Sequence, residues 1–521
     1  MRNRKPLIFL AAYFLVIFFW LLFCFRQVQK ACIEAGHTAQ NGNGILEVTL
    51  WPGAEEFSDR AEQGYPFFGG EEDAVPEAEK KPENETNEKK DVDEQNREEQ
   101  DTKEDEEKKE ENTEKAEVGG TIRVVLLGTG GIYHEKILLE ADGETLEITA
   151  QSPYFAKTGI IRIRKAEGDE KRLCVASLDR SCGHPSYEGI LEIRREDKGL
   201  VLINEVGLED YVKGVLPSEM PLSYPLEALK AQAVCARTYA RMKQENMVYP
   251  QYDAAVDDST ACQVYGNLET SAQGDLAVEE TAGEVLRRED GSYMECYYYS
   301  TSCGRSAQIS VWHGGETEPP DLQKTQEETD LMNQEFFDYI SQKRDGHLEA
   351  EEAFYRWEYR CSEADAQEIF QRCEARRKVN EKLVLTKSSE GDSEPEITKK
   401  ALGSIEDMSI AERQEGGVAD CLKISCRNGT LYVWGEYNIR YVLAQGGAVI
   451  LQDDTEFRTG ELLPSAFISL QSICNEKGNM VGYIIVGGGF GHGVGLSQNG
   501  AKHMALAGNN YQEILKTYYG E

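Results

Sequence analysis

The chain changes hydrophobic rhythm several times. Residues 7–25 are apolar and uncharged, long enough for one helical crossing of a bilayer, and follow Arg2, Arg4 and Lys5. This predicts a single-pass signal anchor with a cytoplasmic segment at 1–6 and the rest outside; a cleaved signal peptide is the competing reading, and Phe23 before Cys24 argues against a lipoprotein site. From 121 to about 205, short β-branched runs separated by Gly, Asp and Pro predict strands at 121–127, 136–139, 145–149, 159–164, 189–193 and 200–203. Helical spacing then sets in. A short amphipathic helix is expected at 208–216, then a stiff loop at 217–221 bracketed by Pro217 and Pro221. A longer helix runs to about Met247, with Ser223 as cap and Pro225 in the first turn. A charged stretch at 314–417, with helices at 331–341 and 365–380 and a polar, mobile end at 387–400, reads as an insert. Strand-like runs return at 421–425, 430–433, 467–470 and 480–486, and a glycine-rich loop at 487–500 precedes helices at 501–508 and 511–518. The fold class is α+β: an anchor, an extracytoplasmic stretch and acidic disordered linker (26–120, the linker at 71–117), a sheet-rich subdomain (121–205), and a mixed α/β domain (206–521).

Charge sharpens the picture in one place. The chain has 521 residues and a net charge of −37, of which −13 falls within 71–117, where 22 residues are acidic and 9 basic. So few apolar residues cannot offset the entropy of ordering, which predicts an extended linker there. The acidic balance excludes nucleic acid as a main partner. The thirteen cysteines are an odd number; Cys421 with Cys426, or Cys296 with Cys303, are pairs that an oxidising compartment would permit.

Candidate chemistry sits in three motifs. On the helix after Pro225, Leu226, Leu229, Ala233 and Ala240 form an apolar stripe that also contains Arg237, while Gln232 and Tyr239 share an adjacent face. A buried guanidinium needs an anion or a polar cleft; a structural ion pair and the wall of a cleft are both open readings. Glu219, on the stiff loop before this helix, is placed for general-acid work or is a solvated loop carboxylate. The loop Ser300-Thr301-Ser302-Cys303-Gly304-Arg305 follows three tyrosines and offers hydroxyls to a sugar, and Cys296, Cys303 and His313 are a loosely spaced set of possible metal ligands. In the third motif, glycines alternate around His492 and lead to Ser497 and Gln498. No P-loop ending is present; alternating glycines let a backbone pass close to another segment or to a ligand.

Together, 208–220 (LEDYVKGVLPSEM), 228–240 (ALKAQAVCARTYA), the STSCG loop with Val311-Trp312, and 489–501 (GFGHGVGLSQNGA) resemble the stage II sporulation protein D family, SpoIID/LytB, over about 200–521. The resemblance implies a membrane-anchored lytic transglycosylase acting on peptide-free peptidoglycan strands during forespore engulfment. It implies Glu219 as the catalytic acid, Arg237 as a functionally important arginine, and an amidase and a polytopic membrane protein as partners. It also implies the alternative of the LytB branch, a non-catalytic amidase modifier or scaffold. The resemblance requires no cofactor, although some members bind zinc near the STSCG loop. The usual histidine that opens that loop is Tyr299 here.

Overall fold

The computed structural model describes residues 120–520, apart from 142–143, 157, 166–172, 181–182, 313–325, 362–365, 390–394 and 477–479, together with two earlier strands, Ile45–Leu50 and Thr113–Lys115. The proposed anchor at 7–25 lies outside the described residues. Among those described, no helix is long and apolar enough to cross a membrane. The chain divides into two compact units, one made of 1–218, 243–269 and 289–291, the other of 219–242, 270–288 and 292–521.

The first unit is built on a six-stranded sheet in the order Ile45–Leu50, Ile160–Lys165, Ile190–Glu196, Gly199–Gly207, Thr121–Leu126 and Val256–Asp257. The strands expected between 121 and 205 are present, with bounds that differ by one to a few residues. The stretch at 26–70, ahead of the acidic linker, contributes one strand: Ile45–Leu50 pairs in parallel with Ile160–Lys165. Its sequence, ILEVTL, alternates apolar and polar residues as a sheet strand should. The sheet is fastened by charge as well as by its apolar face. Arg123 bridges Glu192 at 2.8 Å and Glu205 at 2.5 Å from neighbouring strands. Helix α1, Leu208–Glu219, belongs to this unit as far as Ser218 and buries Leu208, Tyr211, Val212, Val215 and Leu216.

The second unit holds a five-stranded sheet in the order Glu456–Arg458, Ala448–Leu451, Trp357–Cys361, Met480–Gly487 and Ile468–Cys474, and a four-stranded sheet in the order Val384–Ser388, Gly429–Trp434, Ala419–Cys426 and Ile405–Arg413. Its helices are α2 (Leu226–Glu245, whose last residues return to the first unit), α3 (Ala272–Glu280), α4 (Gln326–Ile340), α5 (Ala366–Val379), α6 (Lys399–Leu402), α7 (Glu436–Leu443), α8 (Gln498–Leu506) and α9 (Tyr511–Tyr519). The charged stretch at 314–417 is part of this body. Its strand Trp357–Cys361 is the middle of the five-stranded sheet, and Ile369, Phe370 and Cys373 of α5 lie in one core cluster with Leu422 and Val433.

Neither proposed disulfide forms: the described cysteines are free. Cys421 and Cys426 lie five residues apart on one strand, so their side chains leave opposite faces; the first packs with Ala411 and Trp434, the second within the main core of the unit. Cys296 is hydrogen-bonded to Cys235, not to Cys303.

Candidate functional site

Glu219 is the last residue of α1. The stiff loop expected at 217–221 is therefore helical up to Glu219, with Pro217 inside the last turn. Pro217 lacks the N–H of a helix interior, and the Ser218 hydroxyl donates to the carbonyl of Gly214 at 3.0 Å. Gly214 itself is required, because a Cβ there would stand 2.6 Å from the Asn267 side-chain oxygen and closer still to the ring of Tyr265. The helix thus sits tight on its neighbours and delivers a half-buried Glu219 at its end.

Helix α2 begins after Pro225, whose carbonyl accepts from Ala228 at 3.0 Å and Leu229 at 3.2 Å. The single apolar stripe read from its sequence is a correction: every residue from Ala228 to Ala240 except Lys230 is buried, so the helix is enclosed on all sides. Arg237 is wholly buried. Its guanidinium donates to the carbonyl of Glu284 at 3.1 Å and to that of Val278 at 3.4 Å, tying α2 to α3 and the strand that follows. Tyr239 meets Tyr297 edge to face, 5.9 Å between ring centres. Gln232 is fully buried, and neither its amide nitrogen nor its oxygen has a hydrogen-bond partner among the described residues.

The two later motifs meet each other. Tyr298–Tyr299 pairs in parallel with Leu496–Ser497, and Thr301 exchanges backbone hydrogen bonds with Phe490 at 3.1 and 2.8 Å. This crossing is what the alternating glycines serve. Gly489 and Gly491 have φ of 82° and 111°, and a Cβ would lie 2.9 Å from the Thr301 carbonyl at the first and 2.6 Å from the Tyr299 Cβ at the second. Their role is close approach of backbone to backbone.

Around this crossing the polar groups form a connected set. Ser497 caps α8, accepting from Gly500 N, and donates to Glu349 Oε2 at 2.8 Å. Gln498 Nε2 donates to the Glu219 carbonyl at 3.0 Å. Asn499 donates to Thr301 Oγ1 at 2.9 Å and accepts from Tyr224 OH at 2.5 Å. Ser300 and Thr301 hydroxyls are in contact at 3.2 Å, and the Ser302 N–H donates to Glu349 Oε2 at 2.8 Å. Glu219, Thr301, Ser302, Ser497 and Gln498 are therefore joined in one network through residues 497–499. His492 stands at its edge, with its ring edge-on to Trp312 at 4.9 Å and its Nδ1 accepting from Val494 N at 3.1 Å. Burial, aided by the positive charge of Arg440, pushes its pKa down to about 3, so the ring is neutral.

Of the set Cys296, Cys303 and His313, the histidine lies outside the described residues. Among the described residues, no group of three or more His, Cys, Asp or Glu is placed to hold a metal. Burial holds the Cys303 thiol up at about 11 and the Cys296 thiol well above its ordinary value, and a thiol ligates as thiolate. The residue missed by sequence reading is Glu349. It is 4 % exposed, and burial in company with Glu352 raises its carboxyl to about 7 against the pull of Ser302 N–H, the Ser497 hydroxyl and Lys502. It lies in a charged run that gives no local cue.

These motifs define a class. Residues 196–287 match the SpoIID family profile, described as stage II sporulation protein, and residues 309–495 match a domain of unknown function, DUF8618. The chain carries a SpoIID-family domain, and Glu219, Gln232, Arg237 and Tyr239 lie within it. Among its relatives, the amidase enhancer of Bacillus subtilis (strain 168) is 31 % identical over 309 residues, 59 % of this chain and 39 % of that protein. An uncharacterized protein of Brachyspira hyodysenteriae is 28 % identical over 340 residues, 64 % of this chain and 70 % of its own. Stage II sporulation protein D of Bacillus amyloliquefaciens is 36 % identical over 116 residues, 20 % of this chain and 33 % of that protein. The matches thus span well under two thirds of the amidase enhancer and of the sporulation protein.

Proposed function

We propose that this chain is a lytic transglycosylase that cleaves peptide-free peptidoglycan strands between N-acetylmuramic acid and N-acetylglucosamine, anchored at the cell membrane through 7–25 and working beside an amidase and a polytopic membrane protein in sporulation. The observation that supports this reading is the hydrogen bond from the Gln498 amide to the backbone carbonyl of Glu219, which joins the main chain of one motif to the polar loop of another. Glycoside hydrolysis ordinarily uses two carboxylates; a lytic transglycosylase needs one. In this mechanism Glu219 protonates the glycosidic oxygen as the bond to the anomeric carbon breaks. The substrate N-acetyl group and nearby dipoles stabilise the cationic carbon. Glu219, now carboxylate, takes the proton of the muramoyl 6-hydroxyl as that oxygen attacks, leaving a 1,6-anhydro end. Ser300, Thr301 and Ser302 are the groups assigned to the sugars; Arg237 supports the helix behind them.

A second reading, a modifier of an amidase without turnover of its own, is favoured by the name of the amidase enhancer relative. Digestion of amidase-treated glycan strands with the purified chain and with Glu219→Gln separates the two. The transglycosylase gives 1,6-anhydromuramoyl ends that the variant does not. Reducing ends from the wild type mean a hydrolase, and no product from either protein supports the modifier.

A further inference from the structure

Glu349 belongs to none of the motifs that suggested the site, yet it touches two of them. One oxygen, Oε2, accepts from the backbone N–H of Ser302 at 2.8 Å and from the hydroxyl of Ser497 at 2.8 Å. Ser302 belongs to the STSCG loop; Ser497 is the cap of α8, and the next residue, Gln498, holds the Glu219 carbonyl. The surroundings leave no slack. A Cβ on Gly500 would come 2.9 Å from Glu349 Oε1 and would overlap the hydroxyl of Tyr518. Nearby, Glu352 is occupied by Lys502 and His503, both at 2.6 Å, so those side chains are partnered. A buried carboxylate with two charge-assisted bonds in so confined a place fixes its donors firmly.

We propose that Glu349 is a positioning residue of this site: its carboxylate clamps the STSCG loop to the start of α8 and, through Gln498, fixes the main chain at Glu219. The proposal rests on the reading of Glu219 as the acid only for its catalytic consequence; the clamp itself is a statement about mobility. Glu349 reaches no substrate atom in this role. The relation is indirect, through Ser497, one peptide unit and the Gln498 amide.

The test uses the full chain in four forms: wild type, E349A, E349Q and S497A. In E349Q the amide oxygen takes the place of Oε2 and accepts from both donors, so this variant restores the clamp without the charge. Two quantities are read: steady-state cleavage of peptide-free glycan strands, and amide hydrogen exchange of peptides covering 215–221. E349A and S497A are expected to lower kcat at least tenfold with KM within twofold, and to speed exchange over 215–221 severalfold, while E349Q stays within threefold of wild type in both. If E349A does not fold, S497A cuts the same link by removing one hydroxyl. Wild-type exchange over 215–221 in S497A, or in a folded E349A, overturns the clamp. A wild-type chain that cleaves nothing overturns the transglycosylase reading, and the exchange data still decide the clamp.

Discussion

Gln498 donates its side-chain amide to the backbone carbonyl of Glu219 at 3.0 Å, across 279 residues of chain. Removing it leaves the end of α1 without its long-range partner. A hydrogen bond of this kind contributes about 1 kcal/mol, and a misplaced acid loses rate more steeply than it loses stability. Gln498→Ala is expected to lower glycan cleavage roughly tenfold or more while the unfolding midpoint moves only a few degrees. Product release measured beside a thermal melt checks this; an unchanged rate would remove Gln498 from the site.

Glu349 makes stability depend on pH in a stated direction. Its folded pKa, about 7, lies above the ordinary 4.5. Its contribution is therefore fully present below pH 4.5 and is lost as pH rises through 7. By linkage, that loss is about 3 kcal/mol. Glu349→Gln, which cannot ionise, is expected to be more stable than wild type at pH 8 by an amount of that order and equal to it at pH 4, measured by urea unfolding. His492 works the other way: its pKa of about 3 lies below the ordinary 6.5. Its share is complete above pH 6.5 and is lost as pH falls toward 3, so His492→Gln flattens the acid side of the wild-type curve.

Arg237 is read here as holding α2 to α3. Its removal takes a donor from the Glu284 and Val278 carbonyls and leaves a cavity. Arg237→Ala is expected to destabilise the chain by about 3 kcal/mol or more, seen as a lower urea midpoint. If instead the variant melts like wild type and only cleavage falls, the guanidinium acts on substrate and not on the fold.

Thiol labelling tests the burial pattern. Cys474 is exposed, whereas Cys296 and Cys303 are buried with their thiols held protonated. A disulfide reagent at pH 8 is expected to label Cys474 within minutes and Cys296 and Cys303 only after denaturation. Mass mapping of labelled peptides reads the outcome, and rapid native labelling of Cys303 would mean that the STSCG loop opens.

Much of the architecture was legible because local pattern decided it. Strands such as Thr121–Leu126 and Met480–Gly487 are dense in β-branched residues, and α2 and α9 carry clear helical spacing. Three features were not. The end of α1 read as a loop because two prolines suggested one, whereas burial of Val215 and Leu216 carries the helix through Pro217. Trp357–Cys361 is short and polar on one face, and only its neighbours make it a central strand. Glu349 looks like any acid in a charged run; its meaning comes from Ser302 and Ser497, which lie 47 and 148 residues away. Motif spacing found the residues that resemble a family, while the contact that ties them together lay between motifs.

The separation of 279 residues between Glu219 and Gln498 also sets an order in time. Closing so long a loop follows the folding of what lies between. A nascent chain, or one broken off before Gln498, carries Glu219 without the amide that donates to its carbonyl. The contact that joins these two motifs is thus made only once the second unit is whole.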